Sequence, residues 1–192
     1  MARFALPCLA LMGVALVHPP ARAEDPAASL KTEAAGLVKT YSTTLLTALQ
    51  DALDSGGPVL AIEACHTQAG PIAADLAAHS GWSIKRTSLK LRNPASAPDA
   101  FERETLAAFE DRLGKGEAIA DLTRTAIVKG PDGRETFRFA KAIPLGQACT
   151  TCHGVALTPE VTAKLHDLYP EDQAVGFKPG DLRGIFSLSR PM

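Results

Sequence analysis

The segment Cys149-Thr150-Thr151-Cys152-His153 decides how this 192-residue chain is interpreted. Two thiols separated by two residues can reach the two vinyl groups of one porphyrin, and the histidine that follows can bind the iron from beneath the ring. The pentapeptide is therefore typical of the covalent attachment site of a c-type haem. It predicts one covalent haem c, with His153 as an axial ligand of the iron.

Two other chemistries use a Cys-x-x-Cys pair, and the surrounding sequence suits neither of them as well as it suits a haem. A structural zinc site needs a second Cys or His pair at similar spacing, and none appears in the sequence. A thioredoxin-like dithiol needs its pair at the end of a strand in a βαβ unit. Here Pro144-Leu145-Gly146 precedes the motif and Gly154 follows it, which predicts a loop. An exported thiol or zinc protein remains the non-haem alternative.

Residues 1–23 have the pattern of a secretory signal. Arg3 gives a basic start, the run from Phe4 to Val17 is apolar, and Ala21-Arg22-Ala23 offers small residues for cleavage. The apolar run is too short to cross a bilayer. We therefore predict export to the periplasm, a mature chain that begins at Glu24, and no membrane-spanning segment.

Composition limits the partners of the exported chain. The full chain has 20 Lys and Arg residues against 21 Asp and Glu; loss of Arg3 and Arg22 with the signal leaves 18 cations and a net charge of −3. Nucleic acid is therefore an unsuitable partner. Residues 24–192 have the length of a single domain. The aromatic content of 5% is low, and a haem would supply part of the missing apolar volume.

Cys65 is the cysteine that these assignments leave over. Cys8 is lost with the signal, and thioether bonds would consume Cys149 and Cys152. An unpaired thiol in an oxidising compartment needs burial or a bound partner. Cys65 therefore becomes a candidate for the sixth position of the iron.

His66 competes with Cys65 for that position. On a helix, Cys65 shares an apolar stripe with Ala61 and Ala69, whereas His66 lies about 100° further round the axis and shares part of the apolar face with Ile62. Both side chains cannot bind the same iron. Histidine is the commoner haem ligand. A thiol without a function in an oxidising compartment needs an explanation, however, whereas a histidine without a function does not. A purely structural buried cysteine is the third alternative.

Hydrophobic periodicity and turn residues predict an α+β domain. Predicted helices cover residues 26–55, 58–78, a stretch after 98 to about 115, and 159–168; predicted strands cover 82–91, 125–129, 135–143 and 182–189. Gly56-Gly57-Pro58 separates the first two helices, and Pro71 is expected to kink the second. The order of elements predicts a largely antiparallel sheet packed with long amino-terminal helices. Class I cytochromes c are helical with the motif near the amino terminus, so the late motif argues against that fold.

Three segments together resemble a family of exported single-haem proteins and sensor-input domains with a PAS-like fold. They are Ala61-Ile62-Glu63-Ala64-Cys65, then Arg86-Thr87-Ser88-Leu89-Lys90-Leu91-Arg92-Asn93-Pro94 with Ala97-Pro98-Asp99, and Cys149 to His153. The middle segment is the most specific, because Cys-x-x-Cys-His occurs in many unrelated cytochromes. The resemblance implies a PAS-like fold over residues 24–192, a cysteine ligand at Cys65, and redox or small-ligand sensing.

Cations in the middle segment predict where the haem propionates bind. Arg86 and Arg92 are the first candidates, with Lys85 and Lys90 beside them, because carboxylates that leave water need cationic hydrogen-bond donors. A solvated strand face is the alternative for all four.

The sequence thus predicts a periplasmic single-haem cytochrome rather than an enzyme. Its partner would be a redox protein or a small haem ligand, and the sequence leaves its oligomeric state open. A carrier needs iron that keeps six ligands in both oxidation states, whereas a gas sensor needs one axial bond that yields. The alternative from another class is a peroxidase-like haem enzyme. That chemistry needs a poised distal group, for which His66 is the candidate.

Overall fold

A computed structural model describes Met1 and residues 25–192, so the predicted signal from residue 2 onward lies outside the described part of the chain. The helices are α1 (Pro26–Ser80), α2 (Ala100–Gly114), α3 (Thr150–His153) and α4 (Pro159–Leu168), with 3₁₀ turns at Pro94–Ser96 and Ile119–Asp121. The strands are β1 (Ser83–Thr87), β2 (Thr123–Lys129), β3 (Glu135–Pro144) and β4 (Leu182–Pro191). No helix in the described part is both long enough and apolar enough to span a membrane.

The four strands form one antiparallel sheet in the order β1-β4-β3-β2. This confirms the predicted α+β class and antiparallel sheet. The first strand is shorter than predicted: it ends at Thr87, after which the chain leaves the sheet towards the 3₁₀ turn at Pro94–Ser96. The PAS-like identity of the domain stays a prediction.

Helix α1 is a hairpin of two helical arms. The backbone leaves the helical region at Gly56 and Gly57, where Gly57 has a φ of 69° that favours glycine. The predicted break is therefore confirmed. The predicted kink at Pro71 is wrong, because within α1 the backbone is non-helical only at the two glycines. The arms pack together, and the Tyr41 hydroxyl donates a hydrogen bond of 3.0 Å to the Ala69 carbonyl.

Each face of the sheet has its own apolar core. The α1 face carries buried residues from both the helix and three strands: Ala34, Val38, Tyr41, Leu45, Trp82, Ile84, Phe137, Phe139, Phe186 and Leu188. The α2 face carries Phe101, Leu106, Phe109, Leu122, Ala140, Ala142 and Ile185. Helices thus cover the sheet on both sides, because alternate strand residues point to opposite faces.

A buried charge cluster joins α2 to the sheet. Asp99 and Glu102 form a capping box at the start of α2. Glu102 is completely buried. It forms ion pairs with Lys85 (2.9 Å) and with Arg138 (3.4 Å). Lys85 therefore binds the start of α2, on the opposite face of β1 from Arg86. It is not available as a propionate partner. No spacing pattern in the sequence indicated that Glu102 had partners.

The Cys-x-x-Cys-His motif forms one helical turn, α3, and not the predicted loop. The His153 amide donates to the Cys149 carbonyl (3.0 Å), and the Gly154 amide donates to the Thr150 carbonyl (2.8 Å). Before the turn, the Leu145 amide donates to the Asp181 carbonyl (2.9 Å), which ties the end of β3 to the start of β4. The motif is therefore held at one end of the sheet.

Candidate haem site

Cys152 and His153 lie on the single turn of α3, Cys149 is its N-cap residue, and all three side chains are partly buried. Cys149 packs against a small apolar cluster that contains Leu145 and Phe177. Cys152 packs against a second cluster built from α1 and α4 with Ile62, Val161 and Leu165 at its centre. The two thiols thus project from one turn into different apolar surroundings.

Gly154 ends this turn where the backbone comes too close for a side chain. A Cβ atom at Gly154 would lie 2.4 Å from the Thr150 carbonyl oxygen, far inside van der Waals contact. The chain can therefore turn away directly after His153 only with glycine at this position.

The imidazole of His153 is oriented by a backbone carbonyl. Its Nδ1 lies 2.7 Å from the Ala174 carbonyl oxygen. Because a carbonyl only accepts, Nδ1 carries the proton and donates, and Nε2 is left with its lone pair. The Arg183 Nε atom, 3.3 Å from the same Nδ1, is then a close neighbour and not a donor to it.

The low pKa of His153 agrees with a neutral ring, as this tautomer requires. Burial first, and then the positive charges of Arg92 and Arg183, lower the pKa of His153 to about 3. The ring is thus neutral at physiological pH, which is the form that binds metals. Donation of the second ring N–H to a carbonyl is the usual way in which a metal-binding histidine is held in place.

The loop that supplies the Ala174 carbonyl is itself fixed by hydrogen bonds. The Ala174 amide donates to Asp172 Oδ1 (2.8 Å), and the Gln173 amide donates to the Leu91 carbonyl (2.7 Å). On its far side, the Phe177 amide donates to the His153 carbonyl (2.9 Å). Sequence reasoning missed this loop, because its contacts are long-range backbone bonds without a residue pattern.

Arg92 connects this loop to the motif. Its Nη2 atom donates to the Cys152 carbonyl (2.5 Å) and lies 3.1 Å from Asp172 Oδ2. Both side chains are largely buried, with 15% of Arg92 and 9% of Asp172 exposed. The structure thus gives Arg92 a role in holding the motif. Its Nε atom is buried without a hydrogen-bond partner among the described residues, so one donor remains available.

The rest of the middle segment, residues 86–99, connects the sheet to the site. Lys90 Nζ donates to the Val175 carbonyl (3.1 Å), and Thr87 Oγ1 donates to the Ser96 carbonyl (2.6 Å). Asn93 caps the 3₁₀ turn with its side chain, and Asp99 caps α2. Lys90 is thus engaged with the loop beside His153. These contacts explain why polar residues stand at so many positions of one short segment.

Cys65 is half-buried and lies near enough to both motif cysteines for their charges to interact. Burial raises the pKa of the Cys65 thiol, the charges of Arg86 and Arg92 oppose that rise, and Cys149 adds to it. Burial likewise raises the pKa of Cys152, and the charge of Cys65 is among the causes. His66 is exposed.

Tyr169 lies beside both of these candidates for the sixth position. Its ring meets the His66 ring edge to face at 5.1 Å. It also packs with Cys152 in the cluster around Ile62. Burial raises the pKa of Tyr169, with Cys65 among the nearby charges. This tyrosine directly follows α4, and the sequence indicated only that it ends the helix.

Arg183 is the other site residue that sequence reasoning missed. Burial, followed by the charges of Arg92 and Arg86, lowers the pKa of Arg183 to about 10. Its guanidinium stacks at 5.4 Å from the Phe177 ring centre. Its only sequence signal was its place in a weakly alternating strand.

These residues fit a haem better than they fit a bare metal ion. Within residues 25–192, no three or more His, Cys, Asp or Glu side chains are arranged to hold a metal ion by themselves. A c-type haem needs two thiols and a neutral imidazole nitrogen, which α3 supplies, and cations for its propionates, which surround it. The Nε atom of Arg92 is a further hydrogen-bond donor at the site, without a partner among the described residues.

Comparison with known proteins found a family model and a solved structure that match this chain. A family model described as Tll0287-like matches residues 21–191. The crystal structure of the cyanobacterial haem protein Tll0287 matches with a TM-score of 0.66 and 23% sequence identity, over 88% of this chain and 98% of that chain. No curated protein sequence matches the chain. The structural match shows that the two proteins share a fold.

Proposed function

We propose that this chain, which belongs to the Tll0287-like family, binds one covalent haem c and acts in the periplasm as a redox or small-ligand sensor or as a single-electron carrier. The motif on α3, the cations beside it and the haem protein among its structural relatives support the cofactor. The signal-like pattern of residues 1–23 supports export.

The hydrogen bond between His153 Nδ1 and the Ala174 carbonyl is the observation that carries the proposal. A histidine with a purely structural role has no need to leave Nε2 free next to two thiols on the same turn. Here the carbonyl selects the tautomer, and the loop that holds the carbonyl is in turn bonded to the motif. The ligand nitrogen is therefore prepared before any cofactor arrives.

A haem held here would supply one-electron chemistry at its iron. Cys149 and Cys152 would anchor it covalently, and His153 Nε2 would bind the iron on one side. Cys65, which is partly buried and near enough to Cys149 for their charges to interact, is the residue proposed for the other side. As a thiolate it would favour ferric iron and lower the reduction potential relative to cytochromes with Met and His ligands.

The sensor and carrier roles differ in what Cys65 does on reduction. A carrier would need Cys65 to hold the iron in both oxidation states, whereas a sensor would need a Cys65 thiolate that can take up a proton and yield its place to a small ligand. Burial raises the pKa of the Cys65 thiol, which favours the protonated form, while Arg86 and Arg92 favour the thiolate. A peroxidase-like role is less well supported, because His66, its candidate distal group, is exposed.

Expression in a host that attaches haem to exported proteins tests the proposal. The purified protein is denatured, and its pyridine haemochrome spectrum is recorded together with its intact mass. A c-type spectrum and a mass increased by one haem are expected. A haem-free protein of the same fold would refute the proposal, and haem that acid acetone extracts would refute its covalent attachment.

A further inference from the structure

The candidate site has more positive than negative charge. Arg86, Arg92 and Arg183 are all partly buried. Arg92 contacts the Cys152 carbonyl, Arg183 lies 3.3 Å from the His153 ring, and the charge of Arg86 also acts on that ring. Within residues 25–192, Asp172 is the one carboxylate that forms an ion pair with any of these three arginines. Three cations therefore face one anion, and two positive charges are left without a partner.

Asp172 neutralises Arg92 and neither of the other two arginines. It forms its ion pair with Arg92 at 3.1 Å, and Arg92 also donates to the Cys152 and Ala174 carbonyls. The two cations left over are therefore those of Arg86 and Arg183. Partly buried cations without an anion are costly.

A β-bulge aims Arg183 at the site. Ile143 on β3 pairs with Gly184, and the next residue, Pro144, pairs with Leu182, so Arg183 is an extra residue on β4. Leu182 and Ile185 both pack in the α2 core. Arg183 leaves that face, and its Nε comes within 3.3 Å of the His153 ring. Bulges commonly redirect a side chain in this way beside functional sites.

Arg86 reaches the site from the neighbouring strand. It pairs in register with Phe186 on β4 and shares the α1 face of the sheet with it. Its guanidinium lies 5.6 Å from the centre of the Tyr41 ring. Within residues 25–192 this guanidinium has no hydrogen bond and no ion pair, so all its donors remain free. The guanidinium of Arg183 donates to the Lys90 carbonyl at 3.3 Å and has no carboxylate partner in the same part of the chain.

We infer that Arg86 and Arg183 bind the two haem propionates, one each, while Arg92 and Asp172 form the frame of the site. The inference rests on the proposed function. Two guanidinium groups near the motif that have no carboxylate partner suit a ligand with two carboxylates, and the fork of an arginine pairs with a carboxylate through two parallel hydrogen bonds. Arg183 is thereby added to the propionate candidates, and the charge of Arg92 is assigned to Asp172.

The test uses the haem-loaded protein with Arg86→Gln, Arg86→Lys, Arg183→Gln and Arg183→Lys. Arg134→Gln is the control, since its side chain is 85% exposed and pairs with Asp132 on the hairpin loop. Resonance Raman spectra of the propionate bending modes report hydrogen bonds to the propionates. Equilibrium redox titration reports the midpoint potential, and the haemochrome of each variant reports haem content.

We expect the propionate bands to shift in both Gln variants and in both Lys variants, because lysine cannot reproduce the two-pronged contact. The midpoint potential should fall in the Gln variants and recover in the Lys variants, since a nearby cation favours the reduced iron. Propionate bands identical to the parent protein in the Lys variants would overturn the inference, even if a Gln variant fails to fold. Absence of haem from the parent protein would instead refute the proposed function.

Discussion

The Nη2 atom of Arg92 lies 2.5 Å from the carbonyl oxygen of Cys152, which is 60 residues further along the chain. The same nitrogen pairs with Asp172, whose other carboxylate oxygen accepts from the Ala174 amide. One guanidinium thus connects the covalent motif to the loop that orients His153. The site is built on this connection as much as on the motif.

Replacing Arg92 with Gln should destabilise the haem-loaded protein. The change leaves the largely buried Asp172 without its cation, and loss of one member of a buried pair costs about 3 kcal/mol. Urea denaturation followed by far-UV circular dichroism measures the free energy of unfolding. Arg134→Gln removes an exposed ion pair and should change that energy by less than about 0.5 kcal/mol. Equal losses of unfolding free energy in both variants would contradict the stabilising role given to the ion pair of Arg92 with Asp172.

Covalent attachment predicts that colour survives denaturation. The parent protein should keep its haem through denaturing electrophoresis and stain for haem peroxidase activity. Cys149→Ser combined with Cys152→Ser should lose the stain, because no thioether bond can form. Cys65→Ser is the matched control with an unchanged attachment site. Loss of the covalent haem in that control as well would contradict the separate roles given to the three cysteines.

The ligand opposite His153 is identified by paired spectra. Cys65→Ser should change the ferric absorption and electron paramagnetic resonance spectra, because a thiolate ligand has been removed from the iron. His66→Ala should leave both spectra as in the parent protein, since His66 is exposed. An unchanged Cys65→Ser spectrum together with a high-spin His66→Ala spectrum would transfer the ligand role to His66 and remove the proposed switch.

Alanine at Gly154 and alanine at Gly36 should change the free energy of unfolding in opposite directions. At Gly154 the new Cβ would meet the Thr150 carbonyl at 2.4 Å, so Gly154→Ala should cost about 1–3 kcal/mol and reduce haem incorporation. At Gly36, in the helix interior, a Cβ meets nothing within 4 Å, and Gly36→Ala should stabilise by about 0.5–1 kcal/mol. Thermal unfolding of both variants measures the difference. Equal melting temperatures would show that α3 shifts to accept the methyl group.

Much of the fold follows from local patterns in the sequence. The break at Gly56-Gly57, the proline-started helix α4 and the hairpin of β2 and β3 depend on residues close together in the chain, and the structure has all three. Pro71 shows the limit of this reasoning: it remains inside a helical arm, where packing against the other arm outweighs the local preference of proline.

The site was only partly predictable for a physical reason. Cysteine and histidine have a recognisable spacing within one turn, so the motif was visible. The Ala174 carbonyl, the bulge at Arg183 and the pairing of Arg92 with Asp172 arise from contacts between distant segments. Carbonyls are present in every residue, so the sequence had no means of marking the one that orients His153.

The position of β4 also sets an order of assembly. It is the last element of the chain, yet it lies inside the sheet between β1 and β3. The strands on its two sides cannot complete the sheet until residues 182–191 have been synthesised. The Cys-x-x-Cys-His motif is synthesised earlier, so its thiols are present while the sheet is still open. Chain order thus places the motif ahead of closure of the domain around it.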